Sequence, residues 1–264
     1  MSNFAHTDQM GRNVVCPPNP QRIVSLVPSI TELLFDLGLA GRIAGRTKFC
    51  ILPEQEVKSI QIVGGTKQIN IDIINTLQPD LIIGSKEENT KDDIELLEDF
   101  YPVWMSDVEK WEDMIDLIEK IGSLTGQVSQ SRLLIDQYEQ LYGEWWEFFA
   151  ARQLNVAYLI WRNPFMAAGS GTYIHNFLKF LGFKNAFGHL QRYPEIKGSN
   201  ELTGKVNHVF LSSEPFPFTE KYFSEVQTLF PGASVIIVDG MFFSWYGSRL
   251  LHMKKYIYEL NNLI

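Results

Sequence analysis

The chain has 264 residues, enough for one large domain or two small ones. Hydrophobic residues at 45% and charged residues at 20% suit an ordinary folded protein and exclude a disordered, collagen-like or disulfide-scaffold chain. A formal net charge of −8 argues against a protein that wraps nucleic acid, while 13% aromatic residues ask for either a ring-rich core or a surface for a large flat ligand.

Residues 1–11 contain no Lys or Arg, and the first apolar run, Ile23 to Val27, is too short for a signal core or a membrane span. No membrane insertion is expected, and the chain is read either as cytoplasmic or as having an export signal outside this sequence. Cys16 has no apolar stretch before it, so lipid attachment there is not expected. Cys16 and Cys50 either pair or remain two free thiols.

Pro17, Pro18 and Pro20 make residues 1–20 an extended lead. The continuous apolar run IVSLV (23–27) reads as a buried parallel strand that Pro28 ends. Ser29 with Glu32 three residues on has the pattern of a capping box, opening a helix that ends near Gly38. A short strand at 43–45 leads into the loop Arg46–Pro53. Residues 70–78 read as a helix capped by Asn70, 81–84 as a strand, 91–99 as a helix and 103–105 as a strand. This alternation implies a mostly parallel sheet covered by helices.

From about residue 108 to 152 there is no proline, and apolar residues recur at helical spacing. The pattern predicts a helix to about Leu124, a break at Thr125–Gly126, and a second helix to about residue 152. At 1.5 Å per residue the second spans ~39 Å, which makes it either a surface helix packed on one sheet or a rigid strut between two lobes. The alternation then resumes: strand 155–161, helix 172–181 introduced by Gly169-Ser170-Gly171, strand 208–213, helix 220–229, strand 234–239 and a closing helix 247–263. The expected organisation is an α/β lobe over 1–125, a connecting helix over 126–152 and a second α/β lobe over 153–264.

In open α/β sheets ligands sit beyond the carboxyl ends of the strands. The segments placed there are Pro28-Ser29, Arg46–Cys50 with Lys48 and Phe49, Gly64–Lys67 with Thr66, and Ser85–Asn89 with Lys86. In the second half they are Trp161–Met166 with Arg162 and Phe165, Ser212–Phe216, and Gly240–Trp245 with Phe242 and Phe243. The second set is rich in rings, read as divided between core packing and a cleft lining. Arg46, Lys48, Lys67, Lys86 and Arg162 form either a positive rim for an anionic ligand or ordinary solvated cations. Enzyme signatures are thin. No nucleophile elbow or Walker loop is present, Gly169-Ser170-Gly171 suits a tight cap better than a phosphate turn, and the five histidines lack metal-ligand spacing. Cys50 has no visible base partner.

The stretches PQRIVSLVPSITELLFDLGL (20–39), VGGTKQINIDIINTLQPDLII (63–83), AAGSGTYIHNFLKFLGFKNAF (167–187) and FFSWYGSRLL (242–251) together resemble the metal-chelate-binding proteins of ATP-driven importers. These are the periplasmic receptors for cobalamin, ferric siderophores and haem. The resemblance implies two Rossmann-like lobes joined by a single long backbone helix, and a binding protein, not an enzyme. The ligand would lie between the lobes in a preformed cleft. It further implies a periplasmic or cell-surface monomer with no intrinsic cofactor, whose bound ligand is a cobalt or iron chelate and whose partner is the importer's permease. In that family an exposed acid on each lobe pairs with permease arginines, and Asp72 and Glu201 match those positions. RTKFCILP (46–53) and MFFSWYGSR (241–249) look closest to the cobalamin branch, although the first-lobe Trp that cobalamin receptors can use falls at about Gly65-Thr66. Cobalamin or a related corrinoid therefore ranks first and a ferric siderophore second, since cationic loops suit an anionic chelate. The alternative from another class is a cytoplasmic ligand sensor or enzyme on the same scaffold, with Cys50 as its reactive group.

Overall fold

A computed structural model describes residues 4–149, 154–197 and 205–264. The chain divides into two compact units. One comprises Met1–Val108, Glu112–Gln137 and Tyr246–Arg249; the other comprises Glu109–Trp111, Tyr138–Trp245 and Leu250–Ile264.

The first unit begins with strands β1 (Phe4–Thr7) and β2 (Asn13–Cys16), paired antiparallel. The expected extended lead is thus a hairpin. The three prolines lie beyond it, and its turn is built by Asp8, with Gly11 at φ +78°. The Asp8 carboxylate is buried and accepts hydrogen bonds from the backbone nitrogens of Met10 (3.0 Å), Arg12 (2.8 Å) and Met105 (3.3 Å) and from Arg12 Nε (2.7 Å).

Five further strands form a wholly parallel sheet: β3 (Ile23–Ser25), β4 (Ile43–Arg46), β5 (Gln61–Ile62), β6 (Leu81–Ser85) and β7 (Val103–Ser106), in spatial order β5-β4-β3-β6-β7. Both faces of β3, β6 and β7 are buried, which is why they read as unbroken apolar runs. Helices α1 (Pro28–Asp36), α2 (Ile71–Leu77) and α3 (Lys91–Glu98) connect them. Asn70 caps α2 by accepting from Ile73 N at 3.1 Å, and Thr90 caps α3 by accepting from Asp93 N at 3.3 Å. One side of the sheet closes over Val24, Leu26, Val63, Ile74, Ile82, Ile94, Leu97, Val103 and Met105.

The capping box expected at Ser29 does not form. Pro28 already occupies the first helical turn, Val27 is the cap residue, and Ser29 Oγ has no hydrogen-bond partner among the described residues. Glu32 instead pairs with Arg249 at 2.7 Å.

Two helices follow, α4 (Trp111–Thr125) and α5 (Val128–Phe149), broken at Gly126 with φ +74°. At 22 residues α5 spans ~33 Å. Its buried stripe Leu134, Tyr138, Leu141 and Trp145 has helical spacing. The division between the units falls within it, at Gln137/Tyr138.

The second unit contains β8 (Asn155–Trp161), β9 (Met166–Ala167), β10 (Lys184–Asn185), β11 (His208–Ser212) and β12 (Ser234–Val238). The order β10-β8-β11-β12 is parallel, and β9 folds back antiparallel on β8. Helices α6 (Tyr173–Phe180) and α7 (Phe223–Leu229) follow the expected pattern. The expected closing helix over 247–263 is instead two pieces, α9 (Arg249–His252) and α10 (Tyr256–Leu263), preceded by a short α8 (Gly240–Ser244). Gly247 at φ +91° delays the helix start.

Rings knit α5 to α6 within this unit. Trp111 stacks on Phe180 (centroids 4.6 Å apart), and Trp145 meets Phe177 and Phe242 at 6.4 and 5.7 Å.

The Asp8→Ala change tests the hairpin anchor. It leaves the Arg12 and Met105 donors without their acceptor, and urea unfolding should show a loss of about 3 kcal/mol.

Candidate functional site

The parallel strands of each unit deliver their following loops to one edge of its sheet, and the candidate residues divide there into exposed and buried sets. In the first unit, β4 ends in Arg46, and the chain turns through Thr47 to Cys50. Phe49 is 49% and Ile51 50% exposed, large apolar side chains in water. The Phe49 ring and the Lys48 stem lie over Gly65. A Cβ at that glycine would stand 3.3 Å from Phe49 Cε2 and 3.5 Å from Lys48 Cε. Lys48 Nζ sits 5.0 Å from the Phe49 ring centroid. Thr66 lies beside them, half-buried, its carbonyl accepting from Asn89 Nδ2 at 3.0 Å.

Of the other first-unit candidates, Ser29, Cys50 and Arg46 are turned inward, while Lys67 and Lys86 are exposed. Ser29 is 2% and Cys50 0% exposed. Arg46 is buried, with Nε donating to the Val57 carbonyl at 2.7 Å and Nη1 to that of Thr47 at 3.1 Å, so its guanidinium serves the loop's own backbone. Lys67 Nζ donates to the Glu87 carbonyl at 2.9 Å, and Lys86 pairs with Asp107 at 2.5 Å. The positive rim suggested by the sequence is thus largely engaged with the protein itself.

Cys16 and Cys50 are free and buried, settling the pairing question. Burial pushes both thiols up, Cys16 to about 11, while hydrogen bonds from Thr31 and Thr47 partly offset the effect at Cys50. A buried thiol held protonated is a poor nucleophile.

In the second unit, β8 ends at Trp161, which is 40% exposed. Its ring meets Phe216 edge-on at 5.8 Å. Phe216 rests in turn on Phe218 (4.7 Å) and Tyr222 (5.5 Å), and Phe165 stacks parallel to Phe218 at 6.4 Å. These rings pack down onto the core of Leu159, Leu211, Val226 and Phe230. Arg162 pairs with Glu225 at 2.9 Å and lies 5.0 Å from the Tyr222 ring centroid. The outcome is a rigid aromatic ledge with Trp161 outermost.

Phe242 and Trp245 do not join that ledge. Phe242 is fully buried among Trp145, Phe177, Phe243 and Tyr256, and Phe243 is buried with it. Both follow the end of β12, but α8 turns them into the core. Trp245 is 8% exposed and donates Nε1–H to Glu214 Oε1 at 2.9 Å. Gly169-Ser170-Gly171 is filled by the chain itself: Gly169 N and Ser170 N donate to the carbonyls of Arg192 and Leu190, both at 2.7 Å. A Cβ at Gly169 would meet Leu190 O at 2.2 Å, so no phosphate fits there. His175 bonds Asn185 at 3.1 Å, and burial lowers its pKa. Among the described residues no three His, Cys, Asp or Glu side chains gather as a metal site.

Sequence reasoning missed Glu214, two residues past the end of β11. Ser244 Oγ donates to its Oε1 at 3.2 Å alongside Trp245. Burial pushes its carboxyl above the ordinary glutamate range, the two donors offset part of that, and Asp239 adds to the rise. The only sequence signal was its place in a loop otherwise scanned for rings and cations. Of the two acids matched to permease docking, Asp72 is exposed in the first turn of α2, and Glu201 lies outside the described residues.

Comparison with known proteins decides the family. A profile described as periplasmic binding protein matches residues 23–214. The chain belongs to the periplasmic binding protein family. It is 24% identical over 238 residues to the vitamin B12-binding protein of Pectobacterium carotovorum subsp. carotovorum (strain PC1), covering 88% of this chain and 85% of that one. The periplasmic vitamin B12 binding protein BtuF of Vibrio cholerae has the same fold, with a TM-score of 0.79 at 20% identity over 91% of this chain and 96% of the other. So does the periplasmic heme binding protein HutB of Vibrio cholerae, with a TM-score of 0.76 at 18% identity over 91% and 98%. Periplasmic binding proteins of this kind are α/β proteins with two Rossmann-like lobes, as the sequence pattern required. No helix among the described residues is long and apolar enough to cross a membrane.

The buried and exposed rings should separate in mutagenesis. Phe242→Ala is expected to lower unfolding free energy by about 3–5 kcal/mol. Phe49→Ala, at an exposed site, should change it by less than about 1 kcal/mol, both read by urea denaturation.

Proposed function

We propose that the chain is a solute receptor that captures a metal chelate at the strand-end loops of its two units and delivers it to an ATP-driven importer. The supporting observation is the placement of exposed rings where an α/β sheet presents its ligand. Trp161 stands on its Phe216 base in one unit, and Phe49 lies over Gly65 in the other. The first-lobe Trp that the resembling cobalamin receptors can use falls in sequence at about Gly65-Thr66, beside which Phe49 offers an aromatic surface.

A corrinoid is the favoured ligand. The relatives named for vitamin B12 align over most of both chains, and the loop cations that would suit an anionic ferric siderophore or haem are largely engaged internally, as Arg46, Lys86 and Arg162 illustrate. The ligand-binding set comprises Lys48, Phe49, Thr66, Lys67, Trp161, Phe165 and Phe216, with Ser29, Arg46, Cys50, Lys86, Arg162, Phe242 and Trp245 as its support. The cobalt or iron travels with the ligand, and the protein contributes no cofactor of its own.

Binding without catalysis accords with the buried, protonated Cys50. The receptor acts as a monomer outside the cytoplasmic membrane, where Asp72, with Glu201 on the other lobe, engages arginines of the permease.

Two experiments test this reading. Titration with cyanocobalamin, followed by intrinsic Trp fluorescence, should show Trp161→Ala weakening binding by ~1–3 kcal/mol, the usual cost of losing an aromatic anchor. Unchanged affinity would remove Trp161 from the site. Asp72→Lys should leave that affinity unchanged and reduce uptake by cells carrying the cognate importer. A loss of ligand binding in Asp72→Lys would show that this acid serves the ligand and not the permease.

A further inference from the structure

Glu214 is built as a fixed acceptor. Both of its protein partners, Trp245 Nε1–H at 2.9 Å and Ser244 Oγ–H at 3.2 Å, bind the same carboxylate oxygen, Oε1. Among the described residues none donates to Oε2. The backbone beneath is tailored to this pose. A Cβ on Gly240 would lie 2.4 Å from Glu214 Cγ, so no larger residue at 240 permits the stem to run where it does. Ser212 Oγ donates to the Glu214 carbonyl at 2.5 Å, and Gly240 N donates to Ser213 Oγ at 2.9 Å, tying the loops after β11 and β12 together. The group stands at the carboxyl end of the sheet that also carries Trp161 and Phe216, where a ligand of this fold class is met.

We propose that Glu214, clamped by Trp245 and Ser244, is a specificity-determining acceptor that takes an N–H donor from the ligand's periphery and repels a peripheral carboxylate. The ligand class it selects is a chelate edged with neutral amides, not one edged with acids. The assignment rests on the receptor reading above and extends it, because stacking on rings alone does not discriminate amide from acid. A carboxylate with one oxygen pinned loses little freedom on accepting a donor, and a ligand carboxylate brought to it would place two like charges together in a partly dry site. Among the described residues, the titratable groups facing Glu214 are Asp239 at the start of α8 and Tyr158 on β8, whose hydroxyl bonds Ser212 Oγ at 3.0 Å. Neither supplies a positive charge to cancel that repulsion.

The test compares cyanocobalamin with its separated monoacid isomers, in each of which one peripheral amide is hydrolysed to a carboxylate. Affinities are measured calorimetrically for the wild type and for Glu214→Gln. At pH 8 the wild type should bind at least one isomer ~10-fold or more weakly than the parent, the scale of a lost hydrogen bond to a charged group. Glu214→Gln keeps an oxygen for Trp245 and Ser244 and should narrow that gap to within ~3-fold. A merely structural role would weaken parent and acid alike. Should Glu214→Gln fail to fold, Glu214→Ala is measured in its place, and the same narrowing is expected. Equal affinities for parent and all isomers, or a gap unchanged in the Glu214 variant, overturns the assignment. Binding of haem but not cyanocobalamin overturns it while leaving the receptor reading intact. Binding of neither chelate brings down the receptor reading itself.

Discussion

The ion pair between Glu32 and Arg249 fixes much of what the first unit can present. Arg249 Nη2 lies 2.7 Å from Glu32 Oε1, with only 13% and 5% of the two side chains exposed. Two charges so far from water each carry a desolvation cost of several kcal/mol, which only an intact partner repays, so the pair is strongly self-enforcing. It holds the segment Tyr246–Arg249 against the start of α1, where a Cβ on Gly247 would stand 3.3 Å from the Ser29 carbonyl. Tyr246 then reaches Ser85 Oγ at 3.1 Å and Ser106 Oγ at 3.4 Å, at the carboxyl ends of β6 and β7. Those strand ends are thereby covered by the chain's own C-terminal residues. The large apolar side chains that this unit exposes beyond its strands, Phe49 and Ile51, accordingly stand in the loop after β4, with Thr66 half-buried in the loop after β5.

The same economy governs charge. A protein of net charge −8 would have to gather cations deliberately to hold an anionic ligand. Instead Arg46 lies buried against carbonyls of its own loop, Lys86 pairs with Asp107, and Arg162 pairs with Glu225. Each of these side chains makes a loop rigid and has correspondingly less charge to offer a ligand. A rigid loop, in turn, is what a preformed site requires, because ordering a mobile one would subtract from affinity.

The two-lobe α/β architecture was legible because buried parallel strands write themselves as short unbroken apolar runs, IVS, LIIGS and HVFLS among them. Asn70 as a cap was legible because its pattern is local. Ser29 failed as a cap for a reason that lies far away in sequence: Glu32, the other half of the box, is claimed by Arg249, 217 positions on. The N-terminal hairpin escaped notice because Asp8 draws its stability from Met105, across the fold. Topology sets Trp161 at the last residue of β8 and Phe242 four residues past the end of β12. It gave no indication that a five-residue helix would turn Phe242 inward and leave Trp161 out. Glu214 was invisible for a related reason, since an acid in a loop has meaning only once Trp245 and Ser244 are seen to hold one of its oxygens.

The surplus of rings acquires a physical sense from where they lie. Many pack against one another. Trp145, Phe177, Phe180 and Phe242 form a continuous packing between α5, α6 and α8, and Phe243 meets Phe210 of the sheet at 5.8 Å. Trp161 stands at the outer end of a separate series through Phe216 to Phe218 and Tyr222, anchored on the core. Each edge-to-face contact in that series removes rotamer freedom from the ring above it, at about 0.5–1.5 kcal/mol of pair energy beyond simple burial. A flat ligand laid on Trp161 therefore meets a surface whose ordering cost was met when the protein folded. An isolated exposed Trp would give up part of its stacking energy to become ordered. Trp161 would not, because Phe216 beneath it is itself packed on Phe218 and Tyr222.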